Sequence, residues 1–362
     1  MHGMEKIGSQ NALISADAAY SIISRMEIPI SRSARSRLLI QLILLGAVAA
    51  VLYGGLPRSA WPWLWERLST FATVFLGIFI EAVPFLLMGT LASGLVEVFV
   101  SDEWLARAAP RRALPAALAG AFLGIVFPIC ECGTVPLTRR LFRKGLPLPA
   151  GIAFLLAAPV INPIVIYSTV TAFGWGRMLI WRLGLSLFIA VCVGLVFSVE
   201  REASNIMRFP AFAVELPVIG IPPAQDSFIH ELRRAMIISA DDFFDMARYL
   251  VLGAGIAALL QAFISQTSLL AVGKGPILSV LVMMGLAVLL SICSTVDAFI
   301  ALGFVGTFSF GSVLSFLVFG PMVDIKSILM FLQVFRRRPV FYLVLLPFLM
   351  SLLAGLAFNY FF

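Results

Sequence analysis

Nine apolar runs, at about 38–56, 69–98, 113–130, 148–172, 177–198, 241–264, 276–292, 310–332 and 340–361, fill most of this 362-residue chain. Their lengths lie near the roughly 20 residues that an α-helix needs to cross a bilayer. With 61% of residues hydrophobic and 12% charged, the chain departs far from the roughly 45–50% and 25% of a soluble domain. No water-facing fold of this length hides that much apolar surface. A cytosolic enzyme, a secreted disulfide scaffold, a collagen-like fibre and a disordered tail are thereby excluded. The expectation is an all-α polytopic membrane protein of the inner (cytoplasmic) membrane, with about 8–10 transmembrane helices.

The 26 basic and 19 acidic side chains leave a net charge of +7. In a membrane chain this reads as positive-inside loop charge and not as a nucleic-acid surface. The first 37 residues are polar, and the first apolar run follows Arg32, Arg35 and Arg37 with no cleavable signal peptide. A cytoplasmic N-terminus then brings Arg107, Arg111 and Arg112, the group from Arg139 to Lys144, and Arg336 to Arg338 all to the inner side. Residues 200–235, with Pro210, Pro217, Pro222 and Pro223 and the pair Arg233–Arg234, read as a cytoplasmic linker. The chain divides into a tail (1–37), a first membrane half (38–199, its repeat from about 69), the linker, and a second half (236–362).

The halves match each other in polar and helix-breaking residues. Glu81 and Asp245, and likewise Gly89 and Gly253, lie 164 apart; Cys130 and Cys293 lie 163 apart; Pro159 and Pro321, and Asn162 and Asp324, lie 162 apart. On the charge topology the helix with Glu81 and the helix with Asp245 run in opposite directions. Two inverted repeats with broken helices meeting near the midplane, an architecture of many secondary transporters, are therefore expected. Two stretches, 133–144 and 294–308, are too short to cross alone, and each follows a cysteine-bearing helix end. Each is expected to form a broken hairpin that enters from one face.

The first break, Phe127 to Pro136, carries Cys130, Glu131, Cys132, Gly133 and Thr134; the second supplies Cys293, Ser294, Thr295 and Asp297. Proline and glycine free backbone groups at depth, tolerable only where protein or a water-filled cavity satisfies them. The thiols of Cys130, Cys132 and Cys293 would, if the halves face each other, form a soft ligand set for a metal or metalloid. The bland alternative is three small hydrophobes, and for Cys192, in an unbroken run, that alternative stands. Ionisable groups in spans tend to be functional or paired. Glu81, followed by Pro84, is the better proton-coupling candidate, whereas Asp245 sits one turn from Arg248 and can be its ion-pair partner. Asn162 and Asp324 mark a second helix irregularity in each repeat and offer oxygens to cargo or simply shape a kink; Asp324 can also pair with Lys326.

No phosphate-binding G-x-x-x-x-G-K-[ST] loop occurs, and His2 and His230 are the two histidines, so ATP hydrolysis by that loop, a zincin motif and a serine-protease triad lack their residues. No enzyme activity and no cofactor are expected. The expected partners are the bilayer and a small solute or ion, with room for a second copy of the chain.

The stretch Cys130-Glu131-Cys132-Gly133-Thr134-Val135-Pro136, the segment Lys144 to Pro147, the run Ala157 to Pro163 and the second-half Cys293 to Ala298 resemble one known group. It is the predicted-permease family that includes YraQ-type proteins and the ArsP organoarsenical efflux permeases. The resemblance covers about residues 65–360 and implies a permease; organoarsenical export belongs to one branch. The combined expectation is alternating access to a cysteine-lined midplane site, coupled to protons. Its cargo would be a small thiophilic or sulfur-containing solute: a metalloid, organoarsenical, soft metal or sulfur oxyanion. An intramembrane thiol–disulfide oxidoreductase and a non-transporting subunit of a larger complex are the competing readings.

Overall fold

Helices follow the apolar runs and stop where proline, glycine and capping side chains interrupt them. The computed structural model describes residues 61–110, 112–127, 129–200, 206–208, 228–264 and 275–361. The polar tail and the run at 38–56 lie outside these residues.

The first half contains α1 (Trp61–Phe99), α2 (Asp102–Ala108), α3 (Ala113–Val126), α4 (Glu131–Arg143), α5 (Leu148–Ala157), α6 (Pro163–Phe173) and α7 (Arg177–Phe197). The second contains α8 (Phe228–Phe263), α9 (Pro276–Leu290), α10 (Asp297–Leu302), α11 (Phe310–Met322), α12 (Ile325–Val334) and α13 (Arg337–Phe361). By length and composition five stretches can cross a membrane: Trp61–Phe99, Arg177–Phe197, Glu231–Phe263, Phe310–Val334 and Arg337–Phe361. The chain is an all-α, multi-pass membrane protein. Among the described residues, and apart from short α2, both halves run in one order: a long helix, two helices each broken in the middle, and a second long helix.

The breaks have local causes. Asn162 precedes Pro163 and is extended (φ −110°, ψ 134°), as a residue before proline must be. Its side-chain oxygen accepts from the Ile164 N–H at 2.9 Å and starts α6. Asp324, extended at φ −133°, caps α12 in the same way, accepting from Ser327 N–H at 2.6 Å while the Ser327 hydroxyl accepts from Asp324 N–H at 2.9 Å. The runs at 148–172 and 310–332 are thus two helices apiece.

In the other break of the second half, Ser291 takes the left-handed conformation (φ 47°) and ends α9. The Gln261 amide on α8 donates to the freed carbonyls of Leu289 and Leu290 at 3.1 and 3.0 Å. Each half also ties its two breaks together. Asn162 Nδ2 donates to the Ile129 carbonyl, and Ile325 N–H donates to Ser291 Oγ, both at 3.3 Å.

α1 and α8 lie antiparallel. Arg67 donates to the Ala262 carbonyl, Ile78 packs with Ala254 and Ala257, and Ser93 donates to Asp242. α3, α5 and α7 pack together in the first half, and α9, α11 and α13 in the second. The short half-helices cross over: α4 packs on α12, and α10 on α6.

Part of the segment at 200–235 lies among the described residues. α8 begins at Phe228. Residues 206–208 are also held, with Arg208 N–H donating to the Val334 carbonyl at 2.7 Å and Arg336 N–H to that of Ile206 at 2.9 Å. These two bonds tie residues 206–208 to the α12–α13 junction.

Candidate functional site

Where the half-helices cross, the two cysteine-bearing breaks meet. Cys130 is extended and immediately precedes α4; Glu131 opens that helix; Cys293 lies in the irregular stretch between α9 and α10. The Sγ atoms of Cys130 and Cys293 and a carboxylate oxygen of Glu131 all lie within 4.8 Å of one another, and all three residues are buried. The cysteines are free thiols. Cys132, also buried, interacts with Cys130 but lies outside that 4.8 Å group.

Lys326, from the first turn of α12, reaches the same place. Its Nζ is 3.5 Å from Glu131 Oε1 and 3.3 Å from Asp324 Oδ2, with the side chain 2% exposed. Glu131 Oε2 is buried without a hydrogen-bond partner. Glu81 enters from α1, where Pro84 removes one helical N–H. Its carboxylate faces the Thr295 side chain and the backbone at Cys293, and its Oε1 is buried without a partner. A cluster of thiols, carboxylates and one ammonium is thus drawn from both halves.

The other sequence candidates sit as follows. Gly133 makes a helix contact: a Cβ on Gly89 would overlap Gly133 Cα, so α1 and α4 touch backbone to backbone. Thr134 gives its hydroxyl to the Glu131 carbonyl at 2.9 Å. Asn162 is committed at both ends of its amide, to Ile164 N–H and to the Ile129 carbonyl. Asp324 is a helix cap as well as a neighbour of Lys326. Ser294 is buried with its hydroxyl unpartnered.

Asp297 is held 2.6 Å from Arg182 Nη2, and Arg182 Nη1 donates to Thr169 at 2.8 Å. Asp245 does not join the cluster. It pairs with Arg248 on the exposed side of α8, the two side chains being 41% and 70% exposed.

Sequence reasoning missed three participants. Lys326 was visible only as a neighbour of Asp324. Arg182, 0% exposed, is a lone cation inside an apolar run, and the rule that drew attention to Glu81 applies to it equally. Asp242 is 2% exposed and takes Arg139 at 2.8 Å, Arg140 at 3.0 Å and the Ser93 hydroxyl at 2.9 Å. It joins α4 to α8 well away from the thiols along the helix, and its neighbour Asp241 gave no reason to choose between them.

Two soft thiols beside a carboxylate can hold a soft cation or react with a thiophilic electrophile. The comparisons with known proteins agree with membrane transport. The model of a family described as predicted permease, of the ArsP type, matches residues 67–360. The UPF0718 protein YcgR of Bacillus subtilis (strain 168) is 44% identical over 75% of this chain and 91% of its own length. A Streptococcus mutans protein, provisionally named as a subunit of a two-component membrane permease complex, is 36% identical over 73% of this chain and 87% of its own. The UPF0718 protein YraQ of Escherichia coli (strain K12) is 24% identical over 48% of this chain and 47% of its own. No solved structure matches the chain.

Proposed function

The chain belongs to this predicted-permease family, and on that premise we propose that it moves a small thiophilic or sulfur-containing solute across the cell membrane by alternating access. The carrying observation is the convergence of Cys130, Glu131 and Cys293 from two separate breaks onto one buried spot. Thiols and a carboxylate brought together there, next to freed backbone, make a place that a cargo can occupy and that a packing role alone does not require.

The halves act as inverted repeats. The repeated element order, the antiparallel course of α1 and α8, and the capping of α6 and α12 by the corresponding Asn162 and Asp324 support this. Rocking one half against the other then exposes the site to each side in turn. Glu81, with one carboxylate oxygen free of hydrogen bonds and the other half's break in front of it, is the proton carrier. The N-terminus and the segment after α7 lie on the cytoplasmic side, where the basic ends of α4 and the α12–α13 junction also fall.

The test is transport in sealed vesicles with trivalent arsenicals, Cu(I), thiosulfate and sulfite, comparing wild type with Cys130→Ser and Cys293→Ser. The expected result is cargo movement that both substitutions abolish. If both variants carry the cargo as fast as wild type, the thiol site is not the cargo site. Glu81→Gln is expected to remove the dependence on a pH gradient and leave cargo binding intact.

A second reading is favoured by the relative named as part of a two-component permease complex. On it this chain is one of two subunits. Transport by the reconstituted chain alone excludes it; transport that appears only with a co-purifying partner supports it.

A further inference from the structure

The charges around the thiols do not balance. Among the described residues, Glu81, Glu131 and Asp324 face this spot with Lys326 as the cation among them, whereas Asp297 is matched by its own Arg182. Counted as ionised groups, three carboxylates against one ammonium leave an excess of negative charge at a depth where each uncompensated charge is costly. An anionic cargo adds to that excess; a monovalent cation that displaces one thiol proton does not.

Lys326 is placed loosely at its tip and firmly at its root. Its contacts with Glu131 and Asp324, at 3.5 and 3.3 Å, exceed the roughly 2.7–2.9 Å of a charge-assisted N–H···O bond. Asp324 Oδ2 and Glu131 Oε2 are left without hydrogen bonds. The backbone, by contrast, has no room to move. A Cβ placed on Gly253 would sit 2.8 Å from Lys326 Cα and 3.3 Å from its Cβ and Cγ, so α8 lies directly against the residue. The flexible outer stem is what can swing the ammonium between the two carboxylates, as a lysine's point charge allows and an arginine fork does not.

We propose that Lys326 is the specificity-determining residue of the thiol site: its ammonium stands where positive cargo charge belongs. A soft monovalent metal cation enters by displacing it from Glu131 toward Asp324 and is bound by Glu131, the neutral thiol of Cys130 and the thiolate of Cys293, whose S–H proton leaves to solvent as the metal–sulfur bond forms. The inference rests on the cargo reading of the thiols and narrows it, from any thiophilic or sulfur-containing solute to a soft cation, with sulfur oxyanions excluded.

Ag(I), a soft monovalent ion that does not change oxidation state here, is the probe. Its affinity for the purified full-length protein in detergent is measured by competition with a chromophoric chelator. Lys326→Met removes the competing charge and is expected to tighten Ag(I) binding at least about tenfold, given the strength of charge–charge repulsion at these separations. Lys326→Arg retains the charge and is expected to stay within about threefold of wild type. Ag(I) binding that Lys326→Met leaves unchanged or weakens overturns the proposal. So does thiosulfate binding by wild type, measured by calorimetry, that Lys326→Met abolishes, because the lysine would then be an anion ligand.

The underlying cargo reading fails separately. If Cys130→Ser and Cys293→Ser bind Ag(I) as tightly as wild type, the thiols are not the site, whatever Lys326 does. Should Lys326→Met not fold, the pair Glu131→Gln and Glu131→Gln/Lys326→Met keeps the test, since the double variant strands one carboxylate, Asp324, where Lys326→Met strands two. The double is expected to bind Ag(I) at least about tenfold more tightly than Glu131→Gln alone, and equality overturns the proposal.

Discussion

Removing either partner of the Arg182–Asp297 pair is expected to destabilise the protein far more than removing both. The two groups meet at 2.6 Å with side-chain exposures of 0% and 4%, so neither has water to fall back on. Arg182 has one other partner, the Thr169 hydroxyl, and its Nε is already unpartnered; Asp297 Oδ1 is unpartnered too. Breaking a buried pair from one side costs on the order of 3–5 kcal/mol, and replacing both charges is often near neutral.

The two single variants should sit at opposite ends of that range. A stranded carboxylate can shed its charge by taking a proton, whereas a guanidinium cannot lose one. Arg182→Met is therefore expected to cost about 3 kcal/mol and Asp297→Asn about 5 kcal/mol. The double variant is expected within about 2 kcal/mol of wild type, which makes the coupling energy at least about 6 kcal/mol in magnitude. Equilibrium unfolding in mixed micelles, followed by the loss of helical circular dichroism, measures all four corners of the cycle. If the double variant is as unstable as the sum of the singles, the two charges do not stabilise each other and the reasoning fails.

Three further outcomes are open to the same assay. Gly89→Ala is expected to cost about 1–3 kcal/mol as an overpacked contact, because its Cβ would meet the Gly133 backbone, which cannot yield as a flexible side chain would. Gly77→Ala, with nothing within 4 Å, is the control, expected to gain up to about 1 kcal/mol of helix propensity. Asn162→Ala is expected to cost about 1–2 kcal/mol through the lost cap, and Asn162→Asp less, since it keeps the acceptor for Ile164 N–H and loses only the donor to Ile129. Asp245→Asn is expected to change stability by under about 1 kcal/mol, as for an exposed ion pair, in contrast to the loss of coupling expected for Glu81→Gln.

The positions of the breaks were legible in the sequence because their causes are local. Proline removes an N–H wherever it stands, and an Asn before Pro163 or an Asp three residues ahead of Ser327 caps a helix with atoms from its own neighbourhood. The same local chemistry limited what those residues could be taken to offer a cargo. Asn162 looked like a free amide in a polar break, yet its two ends are occupied in starting α6 and in tying that break to Ile129. Nothing in the run of letters distinguishes a cap from a ligand, since both need an oxygen at an interruption. Arg233 and Arg234 suggest exposed chain, and a helix that begins at Phe228 carries them on its surface before it becomes apolar.

Charge partners across the two halves depend on contacts the sequence does not order, and this decides how far a lone ionisable group can be interpreted. Asp245 and Glu81 occupy matching places in the chain, and both invite the same reading. One of them has Arg248 on the next turn of its own helix and turns outward; the other has no local cation and is left facing Cys293 and Thr295 of the opposite half. Lys326 and Arg182 complete the pattern reciprocally. The second half's lysine meets the acid that opens α4, and the first half's arginine meets the acid that opens α10. Each half-helix therefore begins with a carboxylate whose counter-charge belongs to the other half. Both pairings are buried and both leave a carboxylate oxygen unused, but the one at α10 is short, at 2.6 Å, and the one at α4 is long, at 3.5 Å. Of two analogous contacts between the halves, the tight one is built to persist and the loose one to be exchanged, and the thiols stand beside the loose one.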